Sequence, residues 1–255
     1  MEEFKVVYTL SDNRAFRLQI FKSLLSLSKF IDKDNIILIV NPPSSKIEKS
    51  YGKYATIYDG NEFYKNLNLP NYKFKIEITD IKSRNLIFLD CDTLVMRDIR
   101  ELLDGDYDFF AREEPCRSVN GQMKPTWDED IWKYNLKEFE KNTDALPYND
   151  GFMIFKNNLH NKIKDEYLKF YLMYNKKQLK SPNTVDDMHY NEFALSMAVA
   201  NYHCRNMNEE HHWYGWRNET PRIKPYVIHI GTNKSGLAGY LNNLRRFDEG
   251  IYTMV

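Results

Sequence analysis

Four short apolar runs, with helix-patterned stretches between them, constrain this chain more than any other feature of its sequence. Lys5–Leu10 is expected to form the first strand. It gives way at Ser11-Asp12-Asn13 to a helix from about Arg14, with Phe16, Ile20, Phe21, Leu24, Leu25 and Leu27 at helical spacing. Ile36–Val40 is the second strand, closed by Asn41-Pro42-Pro43; Ala55–Tyr58 is a weaker third and Leu86–Leu89 the fourth. Strands this apolar are buried on both faces, and the interleaved helices provide the cover. The expectation is an α/β fold with a mostly parallel central sheet and helices on both faces. Ligands of such sheets gather beyond the carboxyl ends of the strands. That rim should carry Ser11, Asp12 and Asn13 after the first strand, and Asp90 and Asp92 after the fourth.

The second half is more decorated. Tyr107–Ala111 is expected as another strand, after which residues 113–147 break the rhythm, with prolines at 115, 125 and 147 around WDEDIWKYNLKEFE. That segment has the character of an insertion or flap. Phe152–Phe155 resumes the sheet, helices follow at about 158–175 and 187–200, and strands at about 202–206 and 226–230. No repeat or low-complexity linker divides the 255 residues, so one domain is expected.

Charge excludes some partners. With 36 basic and 36 acidic residues there is no overall field to draw nucleic acid or an anionic membrane. Three cysteines without paired spacing fit a reducing compartment, and MEEFKVVYTL has none of the layout of a signal peptide. The longest apolar run, Ile36–Val40, is too short to span a bilayer. A cytoplasmic protein without a transmembrane segment is expected, with peripheral membrane association left open. The sequons at Asn218 and Asn233 are then accidental.

The chemistry starts at RNLIFLDCDTLVM, residues 84–96, where a buried-type strand runs into two carboxylates separated only by Cys91. Like charges this close repel, and desolvation raises the cost. Asp90 and Asp92 together can chelate a hard divalent cation, which removes the repulsion and attracts phosphate oxygens. The plainer alternative is that one aspartate caps the turn and the other is solvated. Cys91 is expected to be a small buried spacer. An apolar strand followed by D-x-D-x-T also fits the haloacid-dehalogenase-type phosphatases, in which the first aspartate attacks phosphate beside Mg²⁺. That fold opens with the motif, whereas three strand–helix units precede it here, and Asp186-Asp187 follows a Pro-Asn-Thr loop instead of an apolar strand.

Several segments, in order, resemble the nucleotide-sugar glycosyltransferases of the GT-A fold, in particular family 8, the glycogenin-like and lipopolysaccharide galactosyltransferases. IFLDCDTLVMRDIRELL is similar to the D-x-D segment of that family, DYDFFAREE to its next strand, and YNDGFMIFKN to the Asn-x-Gly segment that lines the donor sugar. NEFALS lies where the family has an Asp-Gln-x-x-Leu-Asn helix start, and VIHIGTNKSG is similar to its terminal His-x-x-Gly-x-x-Lys signature. The resemblance implies a nucleotide-binding half over 1–112 and an acceptor and donor-sugar half over 148–255. It implies that Asp90, Asp92 and His229 hold Mn²⁺ or Mg²⁺, imidazole with carboxylates suiting a borderline first-row ion better than Ca²⁺. It further implies a nucleotide diphosphate sugar, most simply a UDP-sugar, as donor, and a glycan, lipid-linked or protein hydroxyl as acceptor. Around that donor would lie Thr9, Asp12 and Asn13 as the nucleoside turn, Lys75, Asn149 at the sugar, and Gly231 and Lys234 at the diphosphate. Helix capping by Ser11 or Asp12 can coexist with the nucleoside role.

The departures are informative. Arg14 replaces the usual Tyr after the Asp-Asn pair, the terminal signature is one residue shorter between His229 and Gly231, and no Pro-Trp follows it. Asp150 stands where a small residue is usual, and Asn191-Glu192 replaces Asp-Gln. Glu192 facing the anomeric carbon would be a nucleophile or cation stabiliser with retention, or a base with inversion, and Asp150 competes for either role. Resemblance to a retaining family points to retention. HHWYGW, residues 211–216, together with Trp127 and Trp132, is a candidate acceptor surface, because Trp faces stack on sugars; packing of a loop onto the body is the alternative. Besides the phosphatase, a catalytically silent nucleotide-sugar-binding module stays open.

Overall fold

The computed structural model describes residues 3–11, 14–41, 45–64, 75–113, 116–119, 122–180, 190–215, 221–231, 240–241 and 244–245. The first half alternates as expected: β1 (Phe4–Ser11), α1 (Arg14–Leu27), β2 (Ile36–Asn41), α2 (Ser45–Tyr51), β3 (Thr56–Asp59), α3 (Gly60–Tyr64) and β4 (Asn85–Leu89). After a short 3₁₀ turn at Ile76–Asp80 and β4 come β5 (Thr93–Val95), β6 (Phe109–Glu113), the hairpin β7 (Cys116–Val119) and β8 (Gln122–Pro125), and α4 (Glu129–Glu138). The chain continues with β9 (Tyr148–Phe155), α5 (Leu159–Lys162), α6 (Lys164–Asn175), α7 (Tyr190–Val199), β10 (Cys204–Asn206), β11 (His212–Tyr214) and β12 (Val227–His229).

Seven strands form the main sheet in the order β10-β6-β9-β4-β1-β2-β3. All pairs are parallel except those of β9, which runs antiparallel to both β4 and β6. Side chains alternate between faces along each strand, and the core divides accordingly. Val7, Ile37, Ile39, Leu86, Phe88, Met153 and Phe155 face the layer of α6, α7 and Trp132, whereas Val6, Tyr8, Leu38, Ile87, Leu89 and Ile154 face α1 through Ile20, Leu24 and Leu27. Phe155 is fully buried between Phe109 and the α6 layer. Phe155→Ala is expected to cost about 3–5 kcal/mol, read as a lowered urea midpoint.

Two arrangements place the rim residues. Because β9 is reversed, its first residues lie at the carboxyl end of β4, where the Asp90 N–H donates to the Gly151 carbonyl at 2.8 Å. A second sheet, ordered β11-β12-β5, pairs His229 with Thr93 and Ile228 with Leu94. It carries the terminal histidine onto the D-x-D turn, and the Ile230 N–H closes the contact on the Asp92 carbonyl at 2.9 Å.

One expectation is corrected. Trp127, Trp132 and Trp213 keep only 7%, 3% and 3% of their surface, so they offer no face to a sugar. Trp132 packs edge-on against Phe193 and donates its indole N–H to the Ala145 carbonyl, and α4 presses Leu136 into the main core. For these large rings the apolar area buried in the core outweighs display at the surface, and in Trp132 the indole donor is satisfied as well. Trp216 lies outside the described residues. Among the described residues no helix is long and apolar enough to cross a membrane.

Candidate active site

The turn after β4 is held from below by hydroxyl groups. Thr93 Oγ1 donates to the Asp90 carbonyl at 2.8 Å and lies 3.2 Å from Ser23 Oγ, which donates to the Tyr8 hydroxyl at 2.9 Å. The Cys91 thiol donates to the Thr9 carbonyl at 3.1 Å, which seats the turn against the end of β1. Burial, reinforced by the flanking aspartates, raises the Cys91 thiol well above its ordinary pKa. The spacer role expected of Cys91 therefore includes a tether.

Asp90, Asp92 and His229 converge. His229 Nε2 is 3.1 Å from Asp92 Oδ1 and 3.9 Å from Asp90 Oδ2, and one ligand atom from each residue lies within 4.8 Å of the others. The electrostatics are those of a crowded anionic site. Burial is the largest influence on Asp90 and pushes it up to about 6, Asp150 and Asp92 adding to the rise and Lys75 and His229 opposing it. Burial also acts to raise Asp92, but the charge and hydrogen bond of His229 outweigh it and hold the carboxyl below its usual range. For His229 burial opposes the imidazolium, and the neighbouring Asp92 and Asp90 more than offset that, so its pKa goes up. A divalent cation is the ligand that suits two carboxylates and an imidazole arranged in this way.

The His229 ring is clamped. On one side it stacks on His212, with centroids 5.5 Å apart and planes 11° apart. On another, Gly151 leaves the space that the ring fills: a Cβ there would stand 2.6 Å from Nδ1 and closer still to Cε1. His212 is fully buried, and burial first, then His229 and Arg112, lowers its pKa well below the ordinary value, so it stacks as a neutral ring. From sequence Gly151 has no role of its own, and His212 has only a place in the candidate acceptor loop HHWYGW, which its complete burial rules out. Gly151 had a signal in the Asn-x-Gly segment, whereas nothing about one histidine in HHWYGW marks it as the packing partner of His229.

Lys75 stands at the start of the Ile76–Asp80 turn and reaches across to the D-x-D loop. Its ammonium is 2.7 Å from Asp90 Oδ1, 2.9 Å from Asp150 Oδ1 and 2.8 Å from the Asp150 carbonyl, with the Phe88 ring 4.7 Å away. Burial works against this charge, but Asp150 and then Asp90 hold its pKa above the ordinary lysine range. Glu192 lies in the first turn of α7 and is 4% exposed. Its Oε1 accepts from Asn149 Nδ2 at 3.1 Å, while Asn149 Oδ1 accepts from the Gly151 N–H at 3.0 Å. A bond from the Tyr148 N–H to Ser196 Oγ ties the start of β9 to the same helix.

No protein-family model matches this sequence, and no curated protein does. Solved structures do match. The apo structure of the bifunctional glycosyltransferase WbbM covers 99% of this chain at a TM-score of 0.62 and 16% identity. The fold is that of the GT-A glycosyltransferases. This chain spans about half the length of WbbM, 51%. Mouse xyloside xylosyltransferase 1 matches at TM-score 0.56 and 12% identity over 91% of this chain and 98% of its own. The galactosyltransferase LgtC, solved with donor and acceptor sugar analogs, matches at TM-score 0.53 and 10% identity over 95% of both chains.

Within this GT-A fold the structure brings Asp90, Asp92, His229, Lys75, Asp150, Asn149 and Glu192 into one contiguous set of contacts. Thr9 adjoins it through Cys91. Gly231 follows at the end of β12, buried, with φ of 70°, in the left-handed region that glycine adopts without strain. Asp12, Asn13 and Lys234 lie outside the described residues.

Proposed function

We propose that this chain is a metal-dependent glycosyltransferase that moves a sugar from a nucleoside diphosphate donor, a UDP-sugar being the simplest, to a hydroxyl acceptor with retention. The observation that carries the reading is the meeting of Asp90 and Asp92 with His229, which comes from the far end of the chain, at the rim of a GT-A sheet. The fit for a cation is supported by the donor set and by the cradle that Gly151 leaves for the imidazole. Asp90, Asp92 and His229 would hold Mn²⁺ or Mg²⁺, which when bound neutralises the charge that develops on a departing diphosphate.

The chain's own residues do the rest. Gly231 admits the backbone to the phosphates, and Lys234 adds a point charge there. Thr9, Asp12 and Asn13 take the nucleoside. Asn149 orients Glu192 through its amide, and Glu192 supplies the carboxylate on the anomeric carbon. In LgtC an active-site Gln-to-Glu mutant has been solved. By the resemblance of NEFALS to the Asp-Gln helix start of that family, Glu192 would be the native residue here where those proteins carry Gln. Glu192→Gln is expected to lower turnover about 10²-fold while donor KM stays within about threefold, measured in steady-state transfer assays.

A panel of nucleotide sugars scored for slow donor hydrolysis with Mn²⁺ tests the reading. At least one sugar nucleotide should be hydrolysed, and hydrolysis should stop with a chelator. Release of phosphate from an aryl phosphate with every sugar nucleotide inert would favour the phosphatase instead. Binding without any turnover would leave a silent binding module.

A further inference from the structure

We propose that Asp150 is a positioning residue that acts through Lys75, and that Lys75 is a resident counter-ion which an incoming divalent metal must loosen from Asp90. This rests on the metal-site reading above. The geometry is specific. An ammonium has three N–H donors, and Lys75 has three oxygens around it at 2.7–2.9 Å, two of them from Asp150 and one from Asp90. The Phe88 face closes a further side at 4.7 Å. Every donor is therefore engaged, and the group cannot meet a diphosphate without giving one up.

The partner it can release is Asp90. Asp150 offers a carboxylate and a carbonyl from a single residue of a wholly buried strand, so it is the fixed anchor. Asp90 contributes one oxygen from a turn whose side chain remains 27% exposed, and a cation on the turn competes directly for its charge. The Lys75 contact also turns Asp90: Oδ1 is taken, which leaves Oδ2 toward His229. Asp150 keeps the ammonium at this distance and prevents it from settling wholly on the metal ligand. A carboxylate in β9 is explained by this anchoring, since a charge in a buried strand is retained only when paired.

The test uses Mn²⁺ binding to the nucleotide-free protein by calorimetry, then UDP binding at saturating Mn²⁺. Lys75→Met should bind Mn²⁺ about tenfold more tightly than wild type, because a cation beside the ligand is gone. It should bind UDP about tenfold more weakly, because the released ammonium is no longer there to meet phosphate. Lys75→Gln, which keeps hydrogen bonding without charge, should show the same Mn²⁺ shift and covers the case in which the methionine variant does not fold. Asp150→Asn should weaken Mn²⁺ binding about fivefold, and this effect should shrink to within about twofold in the Lys75→Met background. A base acting on the acceptor would leave Mn²⁺ affinity unmoved. Lysine variants that bind Mn²⁺ no more tightly than wild type, or an Asp150 effect equal in size without Lys75, would overturn the proposal alone. Wild-type protein that binds no Mn²⁺ would overturn both it and the function it rests on.

Discussion

Replacing Asp92 with alanine is expected to lower sugar transfer about 10³-fold, since the proposed metal site would contribute several kcal/mol of charge stabilisation to a departing diphosphate. The fold should survive. Asp92 sits at the rim with 15% of its side chain exposed, and it makes one described side-chain ion contact, to His229 at 3.1 Å. Loss of that contact is offset by relief of the repulsion on Asp90, whose pKa Asp92 helps to raise. The melting temperature should therefore stay within a few degrees of wild type while metal-dependent turnover collapses. A variant that kept more than about a tenth of wild-type turnover at saturating Mn²⁺ would show that Asp92 does not serve the reaction.

Gly151→Ala should be nearly as damaging although it removes nothing. The added methyl would stand 2.6 Å from His229 Nδ1, closer still to Cε1, and 3.0 Å from Asn149 Oδ1. The ring has little room to yield, because His212 stacks on it at 5.5 Å and Asp92 holds its Nε2. Either His229 swings off the metal site or β9 shifts and takes the Asp90 N–H bond with it. Overpacking of this kind costs about 1–3 kcal/mol of stability. The loss of turnover should approach that of Asp92→Ala, about 10³-fold, because a displaced imidazole would take away one of the three proposed metal ligands. Calorimetric Mn²⁺ titration separates this from general unfolding: the variant should melt cooperatively yet bind Mn²⁺ much more weakly.

Much of the site could be read from residues whose chemistry is local. The apolar run Leu86–Leu89 ending in two carboxylates identified both the strand and the turn, because continuous burial followed by uncompensated charge has few explanations. The alternation of strands and helices in the first half followed from periodicity for the same reason. What could not be read depends on contacts between distant segments. Nothing in YNDGFMIF shows that the strand runs antiparallel between two others, yet that reversal places Asn149, Asp150 and Gly151 beside Asp90. Gly151 has no unusual φ to announce it; its lack of a side chain matters only because the His229 ring occupies that space. Trp127, Trp132 and Trp213 carry the same ambiguity, since a ring that would stack on a sugar also fills a core, and here all three are buried. Lys75 was recognised as a candidate from the family resemblance, but its two-carboxylate cage became visible only once the reversed strand was in place.

The most direct test of the metal–diphosphate site is thermal unfolding with UDP, with and without Mn²⁺, in wild type and in Asp92→Ala. At about 100 times Kd the ligand should add about 2.7 kcal/mol, or roughly 5–10 °C for a chain of this size. That shift should need Mn²⁺, vanish with a chelator and be absent from Asp92→Ala. A UDP shift of the same size with the chelator present, or no shift with any nucleoside diphosphate, would contradict the site described here.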